Sequence, residues 1–197
     1  MLELRELSQV LSGVSVKEVI DGSARVMRLA DLSNLKAGRT PTLASGDAPV
    51  VARALTIADG DLIVGARGTA TDVHVASDVI VGAFISLDLY LVRPNPQLVN
   101  PHYLAAFLEL PSTQAFFAGG KQGTGLARLA KDTLEGTLVP LPPLHRQRLI
   151  ARLAQTFKRE AVLLSRLADL NSALGREAVA RAFRAADVQP KFSRSTP

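Results

Sequence analysis

The residues most able to do chemistry at neutral pH are the three histidines, His74, His102 and His145. No two of them have the spacing of metal ligands on one helix face, and the chain contains no cysteine that would complete a metal site. No serine lies in a Gly-x-Ser-x-Gly sequence or has an evident histidine and aspartate partner. The histidines are therefore interpreted as surface or packing residues, and the sequence predicts no catalytic residue, metal site or cofactor.

Two other motifs resemble ligand sites in part. The stretch GGKQGTG at 119–125 has the glycines of a phosphate-binding loop but lacks its terminal Gly-Lys-Ser or Gly-Lys-Thr. Asp59 and Asp61 flank Gly60 ahead of an apolar segment, and such a pair is most often turn chemistry. Neither motif forms a reaction centre, so the sequence indicates a protein that is not an enzyme.

Size and composition are those of a folded domain with an appended element. The chain has 197 residues, of which 47% are hydrophobic. No apolar run reaches the roughly 18 residues that a membrane-spanning helix needs. The first residues, MLELRELSQV, carry charges where a signal peptide would be apolar. These observations predict a cytoplasmic protein without disulfides and without a membrane segment.

Positive charge is concentrated in the C-terminal quarter. Residues 1–144 carry 12 Lys and Arg against 14 Asp and Glu, whereas residues 145–197 carry 11 against 4. A basic helix of this kind binds nucleic-acid phosphates or an acidic protein, or it presents a solvated face. Charge alone leaves these three interpretations open.

Residues 1–143 have the pattern of a mixed α/β domain of the α+β type. The segment 60–94 is rich in Val, Ile and Leu and is punctuated by glycines, which predicts several short strands joined by turns. The alternation in ARVMRLADLSN, 24–34, predicts another strand, and a last strand should end at Pro140. We therefore expect a twisted, mostly antiparallel sheet.

Short helices should accompany this sheet. Asn100 and Pro101 predict a cap and first turn, and Ser112 is a candidate cap for a second helix. Leu126 and Leu129 have helical spacing in the segment that follows the glycine-rich loop.

From Leu144 to about Ala186 the sequence predicts one long helix of the coiled-coil type, because Arg, Leu, Ala and Glu dominate and proline is absent. Two interleaved series with a spacing of seven give it a seam that is interrupted at Glu160, Asn171 and Arg181. The candidate partner-contact residues on this seam are Ile150, Leu153, Phe157, Leu164, Leu167, Asn171 and Leu174. A helix this long cannot bury the whole seam on a domain of about 140 residues, so we expect it to meet a second helix.

The start of this helix is fixed by prolines, whereas its C-terminal part contains a residue that weakens helices. Pro140, Pro142 and Pro143 hold the chain extended before the helix and form a stiff elbow that sets its direction. Gly175 would weaken the helix by roughly 1 kcal/mol relative to alanine, so the pattern leaves open a break near this residue. The tail 187–197 lacks periodicity and is predicted to be disordered.

Five segments, taken in order, resemble a known family. They are LRELSQVLSG at 4–13, VMRLADLSN at 26–34, DGDLIVGARG at 59–68, LDLYLVRPNPQLVNPHYLAAFLEL at 87–110 and GGKQGTGLARLAKDTLEGTLVPLPPLHRQRLIARL at 119–153. This order, which closes on a strand followed by the proline elbow, resembles the specificity (S) subunit of type I restriction-modification systems up to about residue 186. The family's elbow motif, Pro-Pro-Leu-x-Glu-Gln, is matched at Pro142, Pro143, Leu144 and Gln147. Arg146 replaces the glutamate, so any cap or partner contact that this carboxylate makes in the family is put in doubt.

The resemblance implies a target recognition domain over 1–143, a spacer and dimerisation helix over 144–186 and a tail over 187–197. Family members read a short DNA sequence and perform no chemistry. A separate methyltransferase (M) subunit methylates adenine, and a restriction (R) subunit cuts unmethylated DNA. S subunits typically carry two recognition domains and two long helices that pair antiparallel, whereas this chain has one of each. We therefore expect a half-subunit that forms a homodimer, or pairs with another half, and reads an inverted repeat.

Two loops carry the side chains that such a function needs. GARGTATD at 65–72 and GGKQGTGLARLAK at 119–131 combine glycines, which allow close backbone approach, with side chains that pair with base edges. The candidate DNA-binding residues are Arg67, Thr69, Thr71, Lys121, Gln122, Thr124, Arg128 and Lys131. Because residues 1–144 are slightly acidic, we expect the isolated chain to bind duplex DNA weakly and the complex with the M subunit to bind it more tightly.

Two other functions remain open. The domain could be the recognition module of a different modification or phage-defence system. It could also be a regulatory coiled-coil adaptor whose globular part binds protein. Replacement of Arg67 and Lys121 by alanine separates these hypotheses, because loss of DNA binding favours recognition, and loss of partner binding alone favours the adaptor.

Overall fold

The computed structural model describes residues 1–49, 55–68, 70–122 and 127–185. Along these ranges the chain forms β1 Leu2–Glu3, α1 Leu4–Leu7, β2 Ser8–Ser12, β3 Ala24–Met27, α2 Leu29–Lys36, β4 Ala44–Gly46, β5 Leu62–Gly65, β6 Val73–Val75, β7 Phe84–Ile85, β8 Leu89–Pro94, α3 Pro101–Leu108, α4 Pro111–Gly119, β9 Lys121–Gln122, β10 Arg128–Leu129, α5 Lys131–Glu135, β11 Leu138–Val139 and α6 Leu144–Ala185. A first compact unit covers Met1–Gln155, and a second begins at Thr156. The predicted fold class, mixed α/β with mostly antiparallel sheets, short helices and a long C-terminal helix, is confirmed.

A four-stranded antiparallel sheet, in the order β2-β8-β5-β6, lies at the centre of the first unit. Side chains alternate between the two faces of a strand, and here each face is covered by a hydrophobic core. Val64 and Tyr90 belong to one core, whereas Ile63 and Leu91 belong to the other. Burial on both faces explains why β5 and the first part of β8 are continuously apolar and do not alternate between apolar and polar residues.

A second sheet has the order β4-β3-β7, in which β3 pairs antiparallel with β4 and parallel with β7. The strand predicted over 24–34 is only half correct, because β3 ends at Met27 and α2 begins at Leu29. The backbone amide of Arg28 donates to Asp31 Oδ2 at 2.9 Å, and this capping interaction starts the helix within the stretch that alternates like a strand.

The helix that follows β8 begins as predicted. The Asn100 side chain accepts a hydrogen bond from the Tyr103 amide at 3.1 Å, which caps α3. The prediction for the next helix is wrong in its cap, because α4 starts at Pro111 with Leu110 in the cap position, and Ser112 already lies inside its first turn. Proline at the first helical position has no N–H, so one of the amides that would otherwise lack a partner at this helix start is absent.

Gln147 fixes the start of α6 within the first unit. Its side chain is 1% exposed, and its Oε1 accepts a hydrogen bond from the Asn100 amide at 2.8 Å. Its Nε2 donates to the carbonyl oxygens of Leu98 at 3.1 Å and Pro142 at 2.8 Å. The glutamine therefore joins the elbow, the first turns of α6 and the loop before α3.

Tyr103 adds a second tie to the elbow. Its hydroxyl donates to the carbonyl oxygen of Pro140 at 2.8 Å, and burial raises the pKa of this phenol. The prolines thus stop β11 from continuing, and two polar side chains hold the extended segment that they create.

Helix α6 has 42 residues and includes Gly175, so the glycine does not end it. None of the residues 156–185, which are the described part of the second unit, is buried. The apolar residues of the seam are between 42% and 67% exposed, and Asn171 is also exposed; the apolar residues are Ile150, Leu153, Phe157, Leu164, Leu167 and Leu174.

The predicted tail, 187–197, lies outside the described residues. No helix among the described residues has both the length and the hydropathy to cross a bilayer.

Candidate nucleic-acid interface

The two loops singled out in the sequence lie side by side. Arg67, which follows β5, forms an antiparallel backbone bridge with Arg128 in the β9–β10 hairpin. The amide of Leu129 donates to the Ala66 carbonyl at 2.8 Å, and the amide of Ala66 donates to the Asp88 carbonyl at 2.8 Å. The backbone therefore joins three segments that are far apart in the sequence, and it presents their side chains at one end of the central sheet.

A carboxylate lies between the two arginines. Arg67 Nε is 2.6 Å from Asp88 Oδ1, and Arg128 Nη1 is 4.0 Å from the same oxygen. Arg128 Nη1 also donates to the Leu87 carbonyl at 2.6 Å. These side chains are between 31% and 45% exposed, and exposed ion pairs contribute only about 0–1 kcal/mol to stability. The cluster therefore orients the arginines more than it stabilises the fold.

Tyr90 supports this cluster from the core. The Arg128 guanidinium carbon is 5.1 Å from the centroid of the Tyr90 ring, within the range of a cation–π contact. The buried Tyr90 hydroxyl donates to the Leu129 carbonyl at 2.7 Å. One tyrosine thus holds both the backbone of β10 and the arginine that this strand presents.

Lys121 crosses from the hairpin to the first loop, where its Nζ donates to the Gly68 carbonyl at 2.7 Å. Gly68 has a φ of 103°, a conformation that favours glycine. Burial lowers the pKa of Lys121, and the charge of Asp72 partly offsets this effect. Asp72 also forms an ion pair with Lys36 of α2, so a further cation lies next to the loop.

The remaining predicted residues have different placements. Gln122 pairs through its backbone with Arg128. Lys131 begins α5, and its Nζ is 3.1 Å from Glu135 Oε1. Thr71 is only 2% exposed, so its side chain lies beneath the surface of the loop. Thr69 and Thr124 lie outside the described residues.

Gln114 of α4 holds the Thr71 segment in place. Its Oε1 accepts from the Thr71 amide at 3.0 Å, and its Nε2 donates to the carbonyl oxygens of Thr71 at 2.9 Å and Leu108 at 2.8 Å. The amide side chain satisfies both backbone groups of one residue, as a neighbouring strand would.

Leu126 and Leu129 were predicted to share a helix face. Leu129 instead forms β10, because its amide pairs with Ala66 and its neighbour pairs with Gln122. That prediction is wrong for Leu129, and Leu126 lies outside the described residues.

Asp88 and Gln114 were missed in the sequence. Asp88 could have been noticed in the sequence, since it is the only charged residue between Asp78 and Arg93 in an otherwise apolar segment. Nothing in the sequence points to Gln114, because its partners at Thr71 are 43 residues away.

The aspartates around Gly60 form the turn that the sequence indicates. Asp61 is 2% exposed, and its Oδ2 accepts from the Ala58 amide at 2.8 Å. Arg93 binds both oxygens of Asp61, at 2.9 and 2.7 Å, and this hydrogen bonding raises the pKa of the arginine. Among the described residues, no three His, Asp or Glu side chains cluster as metal ligands would.

Comparison with known proteins gives the family. A family model described as the type I restriction modification DNA specificity domain matches residues 23–169. A search of curated protein sequences found no match.

Solved structures share the fold at low sequence identity. The S subunit of a type I restriction-modification system from M. genitalium is 15% identical, with a TM-score of 0.61 over 94% of this chain and 46% of that one. The HsdS subunit from Thermoanaerobacter tengcongensis is 19% identical, with a TM-score of 0.60 over 100% of this chain and 50% of that one. A chain from a structure on the complex assembly and conformational transition of the type I R-M system is 18% identical, with a TM-score of 0.63 and the same coverage of 100% and 50%.

This chain therefore spans about half the length of the solved chains it matches. The family model covers most of the present sequence and includes both candidate loops, the proline elbow and the first part of α6. The chain belongs to the type I restriction-modification DNA specificity family.

Proposed function

We propose that this chain reads a short duplex DNA sequence through the surface formed by the loop after β5 and the β9–β10 hairpin. The observation that carries the proposal is the backbone bridge between Arg67 and Arg128. Each of the two loops has side chains suited to reading bases, and the bridge joins the loops into one surface. Membership of a DNA specificity family supports DNA as the ligand.

The side chains have distinct roles in this proposal. Arg67 and Arg128 read base edges, since an arginine that binds guanine with two hydrogen bonds discriminates by about 1–3 kcal/mol. Lys121 contacts phosphate or the groove edge from the hairpin. Thr71 acts through the position of its backbone, because its side chain is buried. Thr69, Gln122, Thr124 and Lys131 complete the set of candidate contacts.

The chain acts within a larger complex in this proposal. It performs no chemistry itself, and it directs an adenine methyltransferase (M) subunit, and through it a restriction (R) subunit, to the sequence that it reads. Residues 1–143 form the target recognition domain, and residues 144–186 form the spacer and dimerisation helix. The structures that share the fold are S subunits or come from type I systems, which supports this assignment.

DNA reading can be tested in two steps. Methylome sequencing of the host, with and without this gene, should reveal an N6-methyladenine motif that depends on the chain. The chain with its M subunit should then bind a duplex that carries the motif, and Arg67→Ala or Arg128→Ala should weaken this binding by about five- to 150-fold.

A matched control for the arginine variants lies at the opposite end of the central sheet. Arg5 is also exposed and ion-paired, with its Nε 2.6 Å from Glu3 Oε2, and Arg5→Ala should leave motif binding unchanged. Motif binding that survives both arginine substitutions, while binding of a protein partner is lost, would favour the adaptor hypothesis instead.

The proposed subunit self-associates through the α6 seam. Exposed leucines at heptad spacing are the expected surface for a second helix, either of another copy or of a different half-subunit. Light scattering at tens of micromolar should show a dimer, and Leu164→Glu with Leu167→Glu should give a monomer. Ser165→Glu with Ser172→Glu adds the same charge on another face of the helix and should leave the dimer intact. A wild-type chain that is monomeric on its own would contradict the homodimer.

A further inference from the structure

The turn that precedes β8 belongs to the same surface as the two arginines. The amide of Leu89 donates to the Ser86 carbonyl at 3.0 Å, which closes a turn with Leu87 and Asp88 at its corner. The carbonyl of Leu87 accepts from Arg128, and the carbonyl of Asp88 accepts from the Ala66 amide. The turn is therefore tied to both recognition loops by its backbone as well as by its carboxylate.

An exposed carboxylate is unfavourable on a surface that only binds phosphate. The Asp88 side chain is 45% exposed, and a negative charge at this position repels a DNA backbone. Its pairing with Arg67 adds little stability at that exposure. The geometry instead matches an orienting role, because Asp88 Oδ1 fixes Arg67 through Nε at 2.6 Å and lies 4.0 Å from Arg128.

We infer that Asp88 is a specificity-determining positioning residue. It orients the guanidinium groups of Arg67 and Arg128 toward base edges, and its charge opposes their use as phosphate contacts. The inference rests on the proposed function, and it assigns to the turn Ser86–Leu89 the third part of the recognition surface. Asp88 reduces binding to DNA in general and increases the difference between the right and the wrong sequence.

This role predicts opposite effects on two duplexes. Asp88→Asn keeps the shape and an acceptor oxygen but removes the charge. With the full chain in complex with its M subunit, the ratio of affinities for a motif duplex and a scrambled duplex of the same composition should fall about tenfold. Affinity for the scrambled duplex should rise, and the slope of log K against log salt should steepen by about 0.9 for each further phosphate that the arginines neutralise.

Two further variants separate orientation from folding. Asp88→Glu restores the carboxylate and should recover part of the discrimination. Glu3→Gln removes the same charge from an arginine pair of similar length at the other end of the sheet, and it should change neither duplex affinity. A loss of affinity for both duplexes with a lower melting temperature would show a merely structural role for Asp88.

The wild-type arm distinguishes failure of the inference from failure of the proposed function. If the wild-type complex does not distinguish the motif duplex from the scrambled one, the proposed function fails, and the role of Asp88 fails with it. If the wild-type complex distinguishes them and Asp88→Asn does so equally well, only the assignment of Asp88 is overturned.

Discussion

The proposed recognition surface, which consists of the loop after β5 and the β9–β10 hairpin, and the proline elbow are held by the same two residue types. In each region one glutamine joins backbone groups of separate segments, accepting one hydrogen bond and donating two. In each region one of the chain's two tyrosines donates its hydroxyl to a backbone carbonyl. The regions differ in how deeply the glutamine is placed, since Gln147 is 1% exposed and Gln114 is half-buried.

That difference fits a fixed elbow in one region and, in the proposed function, a surface that binds DNA in the other. At the elbow, the buried side chain of Gln147 binds backbone groups of Leu98, of the α3 cap residue Asn100 and of Pro142. At the recognition surface, Gln114 holds the Thr71 segment from the side of α4. The backbone of the loop at Thr71 is thus held by α4, and in the proposed function this contact fixes the loop against the duplex.

The largest effect is expected at the elbow. Gln147→Ala leaves the half-buried Asn100 amide and two carbonyls without their partner, which should lower the free energy of unfolding by about 3 kcal/mol. Chemical denaturation of the full chain measures this change. Gln155→Ala removes an exposed glutamine from the same helix, and it should stay within about 0.5 kcal/mol of wild type. Equal, small effects for both variants would contradict a structural role for Gln147.

A smaller loss of stability is expected at Gln114, together with a larger loss of recognition. Gln114→Ala should lower the free energy of unfolding by about 1–2 kcal/mol, because water can reach part of the vacated site. The Thr71 segment would then be held less tightly, so binding of the motif duplex should weaken more than binding of the scrambled duplex. Gln147→Ala provides the comparison, and it should affect both duplexes in proportion to the folded fraction.

The smallest effects distinguish the two tyrosines. Tyr90→Phe and Tyr103→Phe each remove one hydrogen bond to a carbonyl and should each cost about 1 kcal/mol. Only Tyr90→Phe should also reduce discrimination between duplexes, since its hydroxyl positions β10. A similar loss of discrimination for Tyr103→Phe would show that the elbow and the recognition surface are not independent.

Features that depend on neighbouring residues were predictable from the sequence. The Asn100 cap and the continuous helix from Leu144 follow from local rules for cap and helix-forming residues. The end of the strand within 24–34 was not predictable in this way, because the capping interaction of Arg28 and Asp31 starts a helix although the residue pattern alternates like a strand. Local rules also do not show which side chain of a loop is buried; in this loop it is that of Thr71.

The recognition surface was predictable only in part. The arginines and the lysine stood out by residue type beside glycines, whereas the contacts that group them join residues 21 to 61 positions apart. Asp88 and Gln114 make such distant contacts; Asp88 stood out only as a charged residue in an apolar segment, and Gln114 did not stand out at all. A single sequence therefore gives the candidate contacts of this site more readily than the residues that hold them.

The bridge between Arg67 and Arg128 consists of backbone atoms alone, so it does not depend on which side chains occupy the two positions. Substitution at either position can therefore alter the bases that are preferred without dismantling the platform beneath them. If both positions contact the same short stretch of duplex, as in the proposed function, evolutionary exchange of one should be accompanied by exchange of the other. New target sequences would then arise in this lineage through coupled replacements on an inherited backbone.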